Sequence, residues 1–357
     1  MRIKTYYLAV LSLFILSAYV IRENNTAISI APAGKQPSIA ISQKGEMKIV
    51  YGKNDSLYYT SSADGNSFSA PAGIAHLKGL GLGMSRGPQI AITKDFTVVA
   101  AASGAGNIYA YQLNHQTKQW SKAIQINDVD TLAKEAFVSI AAGEDNQVYA
   151  VWLDLRSDRQ NKIFGSVSAD GGKTWSANKL IYQSPEGKGS VCECCKPSVT
   201  ASGKQVHIMF RNSIKGTRDL YVISSMDGGR TFGQAQKLGN DTWVLKACPM
   251  DGGDLAVNAK GKVLTVWRRK NEIFMAEPGK AEQRISEGKT PVVSRTASGD
   301  VVAWHNKGQI LVKSTRQDQA QVLGNGTHPK LIPIPGKNAV FCVWENETGV
   351  MGQRVDL

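Results

Sequence analysis

The chain is dominated by a repeated pair of short apolar strands, and the second strand of each pair ends in an aromatic residue closely followed by a polar one. These second strands end at Val50-Tyr51, Val151-Trp152, Met209-Phe210, Val266-Trp267, Ala303-Trp304 and Val343-Trp344, with a degenerate copy at Ala100-Ala101-Ala102. Copies recur about every 37 to 60 residues, the range of four-stranded propeller blades. The pattern predicts an all-β, single-domain β-propeller with seven blades.

The two termini indicate how the ring closes. The last copy has strands over Lys330–Pro333, Ala339–Trp344 and Val350–Val355 and then stops without a fourth. An isolated strand, Thr26–Ile30, precedes the first copy. Propellers avoid free sheet edges by closing the ring. We therefore predict that the N-terminal strand completes the last blade.

Three copies carry a second signature between their third and fourth strands. The segments Ser168–Trp175 and Ser225–Phe232 match the Asp box, Ser-x-Asp-x-Gly-x-Thr-Trp, and Ser62–Phe68 is a copy one residue shorter. In such a turn the aspartate accepts main-chain N–H groups and the glycines adopt positive φ. The chain here resembles the BNR-repeat, Asp-box superfamily that includes the sialidases. That resemblance implies a β-propeller, with six blades as the alternative count, because sialidases have six.

The N-terminal segment is typical of an export signal. Arg2 and Lys4 precede an uncharged stretch from Tyr6 to Ile21, and polar residues follow it. We expect residues 1–22 to be a signal peptide or an uncleaved N-terminal anchor, and residues 23–357 to be the propeller. The protein is then exported, to the periplasm, the cell surface or the medium, and any membrane contact is through that anchor.

The charge of the chain indicates its partners. A formal net charge of +13 favours an anionic small molecule or an acidic glycan. Nucleic acid is not expected, because no helix-turn-helix, zinc finger or aromatic-basic stripe is present.

Residues before first strands and after second strands of a propeller meet on one rim, and the Asp boxes lie on the other. This rule collects polar and sulfur-containing residues on a single predicted ligand face. They are Arg86, Glu135, Cys192, Cys194, Cys195, Lys196, Cys248, Met250, Asp251, His328, Asp154, Arg156, Arg211, Arg268, Arg269, His305 and Glu345.

The family resemblance suggests roles for some of these residues. Sialidases hold the substrate carboxylate with three arginines, and Arg86, Arg211 and Arg268 are similar in position, which implies that they bind the ligand. Sialidases also use a late tyrosine as nucleophile, but the last tyrosine here is Tyr221. A hydrolytic alternative would use two carboxylates, with Asp154 or Glu135 as acid and Asp251 or Glu345 as base.

Four cysteines fall in two neighbouring loops. Cys192, Cys194 and Cys195 precede the fourth blade, and Cys248 precedes the fifth. In an oxidising compartment, one interpretation is a disulfide between Cys248 and one of the other three cysteines. The other is a soft-metal site for copper or zinc, because thiolates and the Met250 thioether favour such ions.

These features lead to one function hypothesis with two alternatives. The first is an exported propeller that binds an anionic ligand, expected to be a glycan, on a basic face that contains cysteines. The alternatives are a sialidase-like exo-glycosidase with altered catalytic residues and a copper- or zinc-binding propeller.

Overall fold

The computed structural model describes residues 26–187, 189–258 and 260–357, which form seven antiparallel sheets and contain no helix. The predicted signal peptide or anchor, residues 1–22, lies outside this part of the chain. None of the described segments is an apolar helix of membrane-spanning length. The all-β propeller is confirmed, and the number of blades is seven rather than six.

Each of the first three blades has four strands in sequence order from the centre outwards. They are β2 (Lys35–Ile41), β3 (Met47–Lys53), β4 (Ser56–Ser62) and β5 (Ala72–His76); β6 (Gln89–Ile92), β7 (Phe96–Ala102), β8 (Ile108–Asn114) and β9 (Ile124–Gln125); and β10 (Val138–Ala142), β11 (Val148–Asp154), β12 (Lys162–Ser168) and β13 (Lys179–Tyr182).

The next three blades repeat this order, with one extra strand in the fourth. They are β14 (Gly189–Val191), β15 (Ser198–Ser202), β16 (Gln205–Ile214), β17 (Leu220–Ser225) and β18 (Gln236–Lys237); β19 (Asp254–Val257), β20 (Val263–Arg269), β21 (Glu272–Ala276) and β22 (Gln283–Glu287); and β23 (Lys289–Thr296), β24 (Gly299–Asn306), β25 (Gln309–Ser314) and β26 (Gln321–Asn325).

The seventh blade contains strands from both ends of the chain. Its first three strands are β27 (Thr327–Pro333), β28 (Ala339–Glu345) and β29 (Gly349–Asp356). Its outermost strand is β1 (Ile28–Pro32), which pairs antiparallel with β29 so that Ile28 faces Gly352. The N-terminal strand thus covers the edge that β29 would otherwise expose.

The hydrophobic core is divided among the interfaces between neighbouring blades. Second strands are buried on both faces, because each blade is packed between two others; all seven residues of β11 are buried. Trp152 lies in the cluster between the second and third blades, and Trp344 in the cluster between the sixth and seventh. This burial explains why second strands are the most apolar segments of the repeat.

The Asp-box turns have the predicted local geometry. Asp170 Oδ1 accepts the main-chain N–H groups of Lys173 and Thr174 at 3.0 and 2.9 Å, and its Oδ2 accepts the Thr174 hydroxyl. The Trp175 indole N–H donates to Gly172 O at 3.1 Å, and the ring packs against the core between the second and third blades. These residues therefore hold a turn on the rim opposite the predicted ligand face.

Connections between blades differ in length around the ring. Residues 77–88, 126–137 and 238–253 are long loops that enter the second, third and fifth blades. Gly288 alone enters the sixth blade and Gly326 alone the seventh. At Gly326, with φ at 153°, a Cβ would lie 2.3 Å from Trp344 Cδ1, so only glycine fits. The connections on the ligand face are consequently long before blades two, three and five and single glycines before blades six and seven.

Candidate functional site

Residues at the beginnings of inner strands from six of the seven blades line a narrow pocket at the centre of the ligand face. Its volume is ≈ 40 Å³. The side chains that line it come from the beginnings of inner strands, as the predicted rim requires: Gln36, Gln89, Lys196, Ser198, Asp251, Asp254, Thr290, His328 and Lys330. The pocket has room for a few water molecules or one small polar group.

Two lysines, Lys196 and Lys330, line this pocket and repel each other electrostatically. Lys196 Nζ donates to Ser139 Oγ at 2.8 Å and is 3.4 Å from Gln89 Oε1. Burial lowers the pKa of Lys196 to about 7, and repulsion from Lys330 adds to the effect. Burial also lowers the pKa of Lys330, whereas the negative charge of Asp254 acts to raise it. Sequence reasoning placed Lys196 on this rim but missed Lys330 and Asp254, which belong to inner strands and carry no motif.

Asp254 is one of two acidic residues that line the pocket, together with Asp251. Its Oδ2 accepts the Val293 main-chain N–H at 3.1 Å, and burial raises its pKa. Among the described residues, no carboxylate oxygen lies within 4.0 Å of the ammonium group of Lys196 or Lys330. The pocket therefore contains two lysine amines that have no carboxylate in direct contact, and burial favours the neutral form of both.

Of the predicted arginine triad, Arg211 and Arg268 lie together. Their guanidinium carbons are 5.3 and 5.5 Å from the centre of the Trp243 ring, a cation–π arrangement. Arg211 is only 1% exposed, and its guanidinium donates four hydrogen bonds to the carbonyls of Asp251, Arg218 and Arg268. Arg268 is half-buried and donates to Lys270 O and Pro249 O. Trp243, in the long loop before the fifth blade, was not predicted.

The third arginine of the triad, Arg86, contacts a different blade. Its Nε donates to Glu135 O at 2.8 Å, and its guanidinium carbon lies 4.5 Å from the centre of the Phe137 ring. It thus joins the loop before the second blade to the loop before the third. Burial raises the pKa of the Glu135 carboxyl, with Asn161 and Arg86 acting in the opposite direction.

The other three carboxylates proposed for acid-base roles make tight contacts within the protein. Asp154 is fully buried and accepts hydrogen bonds from the Trp152 indole and from Arg156. Asp251 Oδ2 accepts the Thr290 main-chain N–H at 2.7 Å. Glu345 accepts the Gln36 N–H at 2.5 Å and lies 3.4 Å from His328 Nδ1. Each carboxylate therefore orients neighbouring groups of the rim.

The cysteine segment occupies an interruption of the inner strand in the fourth blade. Both β14 and β15 pair with the long strand β16, and residues 192–197 leave the sheet between them. Cys195 N–H donates to Cys192 O in a tight turn, and Cys192 N–H donates to Arg211 O. The sequence placed these residues before the first strand, because the three-residue strand β14 gave no recognisable signal.

That turn brings three sulfur atoms together. Cys192 Sγ is 3.6 Å from Cys194 Sγ and 3.4 Å from Cys195 Sγ, and all three residues are at most 6% exposed. Contacts with Cys194 and Cys195 lower the pKa of Cys192. The contact with Cys192 raises the pKa of Cys194, and burial raises that of Cys195 to about 12. All five cysteines of the chain are free thiols, so the expected disulfide is not formed in this structure.

A larger cavity lies away from this face. It has a volume of ≈ 690 Å³ and lies between the third and fourth blades, beside the turn that contains Asp227, Gly228 and Gly229. Hydrogen bonds from Thr231 and Ser225 lower the pKa of Asp227, as its role in the turn requires. Because charged and polar side chains from several blades converge in the central pocket, we place the candidate site there.

Comparison with known proteins establishes the fold alone. No protein-family model and no curated protein sequence matches this chain. Among solved structures, the polysaccharide lyase Uly1 is 12% identical with a TM-score of 0.56, over 96% of this chain and 94% of that one. The Hadza microbial sialidase Hz136 is 13% identical with a TM-score of 0.53, over 91% of this chain and 66% of that one.

A lectin from Aleuria aurantia, solved with Fucα1-6GlcNAc, extends the comparison to a sugar-binding protein. It is 9% identical with a TM-score of 0.51, over 83% of this chain and 96% of that one. Identities this low leave activity open. This chain therefore has a seven-bladed β-propeller fold that is similar to the folds of a sialidase, a polysaccharide lyase and a lectin.

Proposed function

We propose that this propeller is exported and binds an acidic glycan at its central pocket, with the anionic group of the sugar between Lys196 and Lys330. The observation that carries the proposal is the pair of lysine side chains in the pocket that have no carboxylate within 4.0 Å among the described residues. Burial without a partner favours the neutral amine, whereas a nearby anion favours the charged form. A carboxylate or sulfate would supply the missing partner and form charge-assisted hydrogen bonds.

The size of the pocket limits what enters it. A volume of ≈ 40 Å³ accommodates a carboxylate or sulfate group but excludes a sugar ring. The rings would lie above it, on the ligand face between the long loops before blades two, three and five and the short connections at Gly288 and Gly326. Arg268, half-buried beside the loop before the fifth blade, would then contact a second anionic or hydroxyl group.

Two further observations support a sugar as the ligand. Solved structures with a similar fold are named as a polysaccharide lyase, a sialidase and a lectin. The chain is also basic, with a formal net charge of +13, which attracts polyanions. Export, through the signal expected in residues 1–22, would place the protein where acidic polysaccharides occur.

Calorimetry with matched oligosaccharides tests the proposal. Uronate-containing and sulfated oligosaccharides should bind, and neutral oligosaccharides of the same length should not. Lys196→Met and Lys330→Met should each weaken binding about tenfold or more, because a charged hydrogen bond contributes roughly 1.5–3 kcal/mol. Lys44→Met is the matched control, because exposed Lys44 lies between β2 and β3 on the opposite face. Equal binding of neutral sugars, or indifference to both pocket substitutions, would refute the proposal.

A further inference from the structure

We propose that Cys192, Cys194 and Cys195 form a buried three-sulfur site for monovalent copper, with the exposed Cys248 as the thiol that first receives the ion. The three sulfur atoms lie within 4.8 Å of one another, which is the spacing of ligands around one ion. They converge because the chain turns tightly between β14 and β15, so the turn and not a flexible loop sets their positions.

The donors of this cluster are all sulfur. Met250 is the residue that packs against the three cysteines, and it adds a thioether beside three thiols. Thiolates bind both monovalent copper and zinc, but zinc prefers four ligands in a tetrahedron, commonly completed by cysteine or histidine. Three thiols with a neighbouring thioether therefore fit monovalent copper better. The cysteines are 0%, 6% and 1% exposed, so little water competes for the ion.

A positive group balances the charge that the bound thiolates would carry. Arg218 Nη1 donates to Cys192 Sγ at 3.1 Å and to Glu193 Oε2 at 3.1 Å. Binding of the ion displaces thiol protons to solvent, because the thiolate is the ligand. Arg218 therefore acts as a positioning residue that holds the Cys192 sulfur toward the ion.

Cys248 gives the buried site a connection to solvent. It is exposed, and its sulfur lies 3.7 Å from Glu193 Oε1. The sulfurs of Cys248 and Cys194 and a Glu193 carboxylate oxygen lie within 4.8 Å of one another. Cys194 thus belongs to both groups, so an ion captured at the surface by Cys248 could pass to the buried sulfurs by exchange at Cys194.

Anaerobic titration of the reduced full-length protein with Cu(I), against a chromophoric Cu(I) chelator, tests the site. One ion should bind per chain, with sulfur-to-copper charge-transfer absorption in the ultraviolet. Cys192→Ala and Cys195→Ala should each lower affinity more than about 100-fold, and Arg218→Gln about 10- to 100-fold, the range for residues that orient a ligand. Cys248→Ser should slow loading without changing the one-to-one stoichiometry.

Cys342→Ala is the matched control, because this buried thiol lies in β28 in the cluster between the sixth and seventh blades. It should leave Cu(I) affinity unchanged. Thermal melts of the metal-free variants separate loss of ligand from loss of fold, and Cys194→Ala gives a second test if Cys192→Ala unfolds. Three results would overturn the proposal: Cu(I) affinity that survives both Cys192→Ala and Cys195→Ala, one-to-one binding of zinc in preference to Cu(I), or oxidation of the cluster to a disulfide in protein that takes up no Cu(I).

Discussion

Glu345 accepts the main-chain N–H of Gln36 at 2.5 Å, and this hydrogen bond joins the seventh blade to the first. Glu345 Oε1 also lies 3.3 Å from the Gln36 side-chain amide and 3.4 Å from His328 Nδ1. Nearby, Lys35 Nζ donates to Asn346 O at 3.2 Å. The seam that closes the ring on this face therefore includes a carboxylate.

Acid should weaken this seam. Burial raises the pKa of Glu345, but the hydrogen bonds from His328 and Gln36 outweigh it and the pKa is lowered. A carboxyl with a lowered folded-state pKa adds stability above its ordinary pKa, and this stability is lost as pH falls through the folded value. The midpoint of thermal denaturation should thus decrease as the pH is lowered below about 5, and it should decrease less steeply in Glu345→Gln. Glu347→Gln, an exposed neighbour, should follow the wild-type profile.

Arg211 and Arg268 should respond differently to replacement by alanine. Arg211→Ala removes four hydrogen bonds to buried carbonyls, so we expect it to lower the free energy of unfolding by more than about 2 kcal/mol. Arg268→Ala should instead weaken binding of acidic oligosaccharides about tenfold, with a smaller effect on stability. Thermal melts and calorimetry measure the two effects, and Arg284→Ala, on the outer strand β22, is the control. Identical profiles for Arg211→Ala and Arg268→Ala would contradict this division.

Removing the strand that closes the ring should destabilise the whole domain. Deletion of residues 26–32 takes away β1 and leaves the edge of β29 unpaired. It also removes Ile30 and Ala31, which are 7% and 0% exposed in the core between the seventh and first blades, so the residues packed against them become exposed. We expect a lower melting midpoint and a tendency to aggregate. A melting curve that coincides with that of the intact protein would show that the strand is dispensable.

Sialidase turnover should be absent. The covalent intermediate of sialidases forms on a tyrosine, and no tyrosine follows Tyr221, so blades five to seven contain none. Among the predicted carboxylates, Asp154 and Asp251 are held by hydrogen bonds within the protein. A fluorogenic sialoside should therefore remain intact during prolonged incubation. Efficient release of sialic acid would show that another residue serves as nucleophile.

The repeat could be predicted well from the sequence, because short local patterns of residues determine the strands and turns of each blade. Trp152, Trp267, Trp304 and Trp344 mark strands that are buried on both faces, and a large aromatic at a fixed position is easily recognised. The Asp-box turn is equally local, since the hydrogen bonds that the Asp170 side chain accepts come from residues within four positions of it. Both features depend on short segments whose residues determine their own conformation.

The site was predicted less completely, because its chemistry depends on which side chains meet across blades. Arg211 follows an aromatic just as Arg268 does, yet Arg211 is buried against the loop before the fifth blade and Arg268 is half-buried. Lys330 lies within an inner strand, where only the ring arrangement reveals that it faces Lys196. The spacing of residues along the sequence does not predict distances between side chains of different blades.

The pairing of β1 with β29 has a consequence for the order of folding during synthesis. β1 precedes the other described strands in the chain, and its partner β29 follows all of them. Blades one to six can therefore assemble as the chain emerges, while the seventh must wait until β29 has been synthesised. Closing a loop that includes nearly the whole chain carries a large entropic cost before any contact offsets it. Ring closure should thus be the late, slow step of folding, and the nascent chain must keep its N-terminal strand unpaired until then.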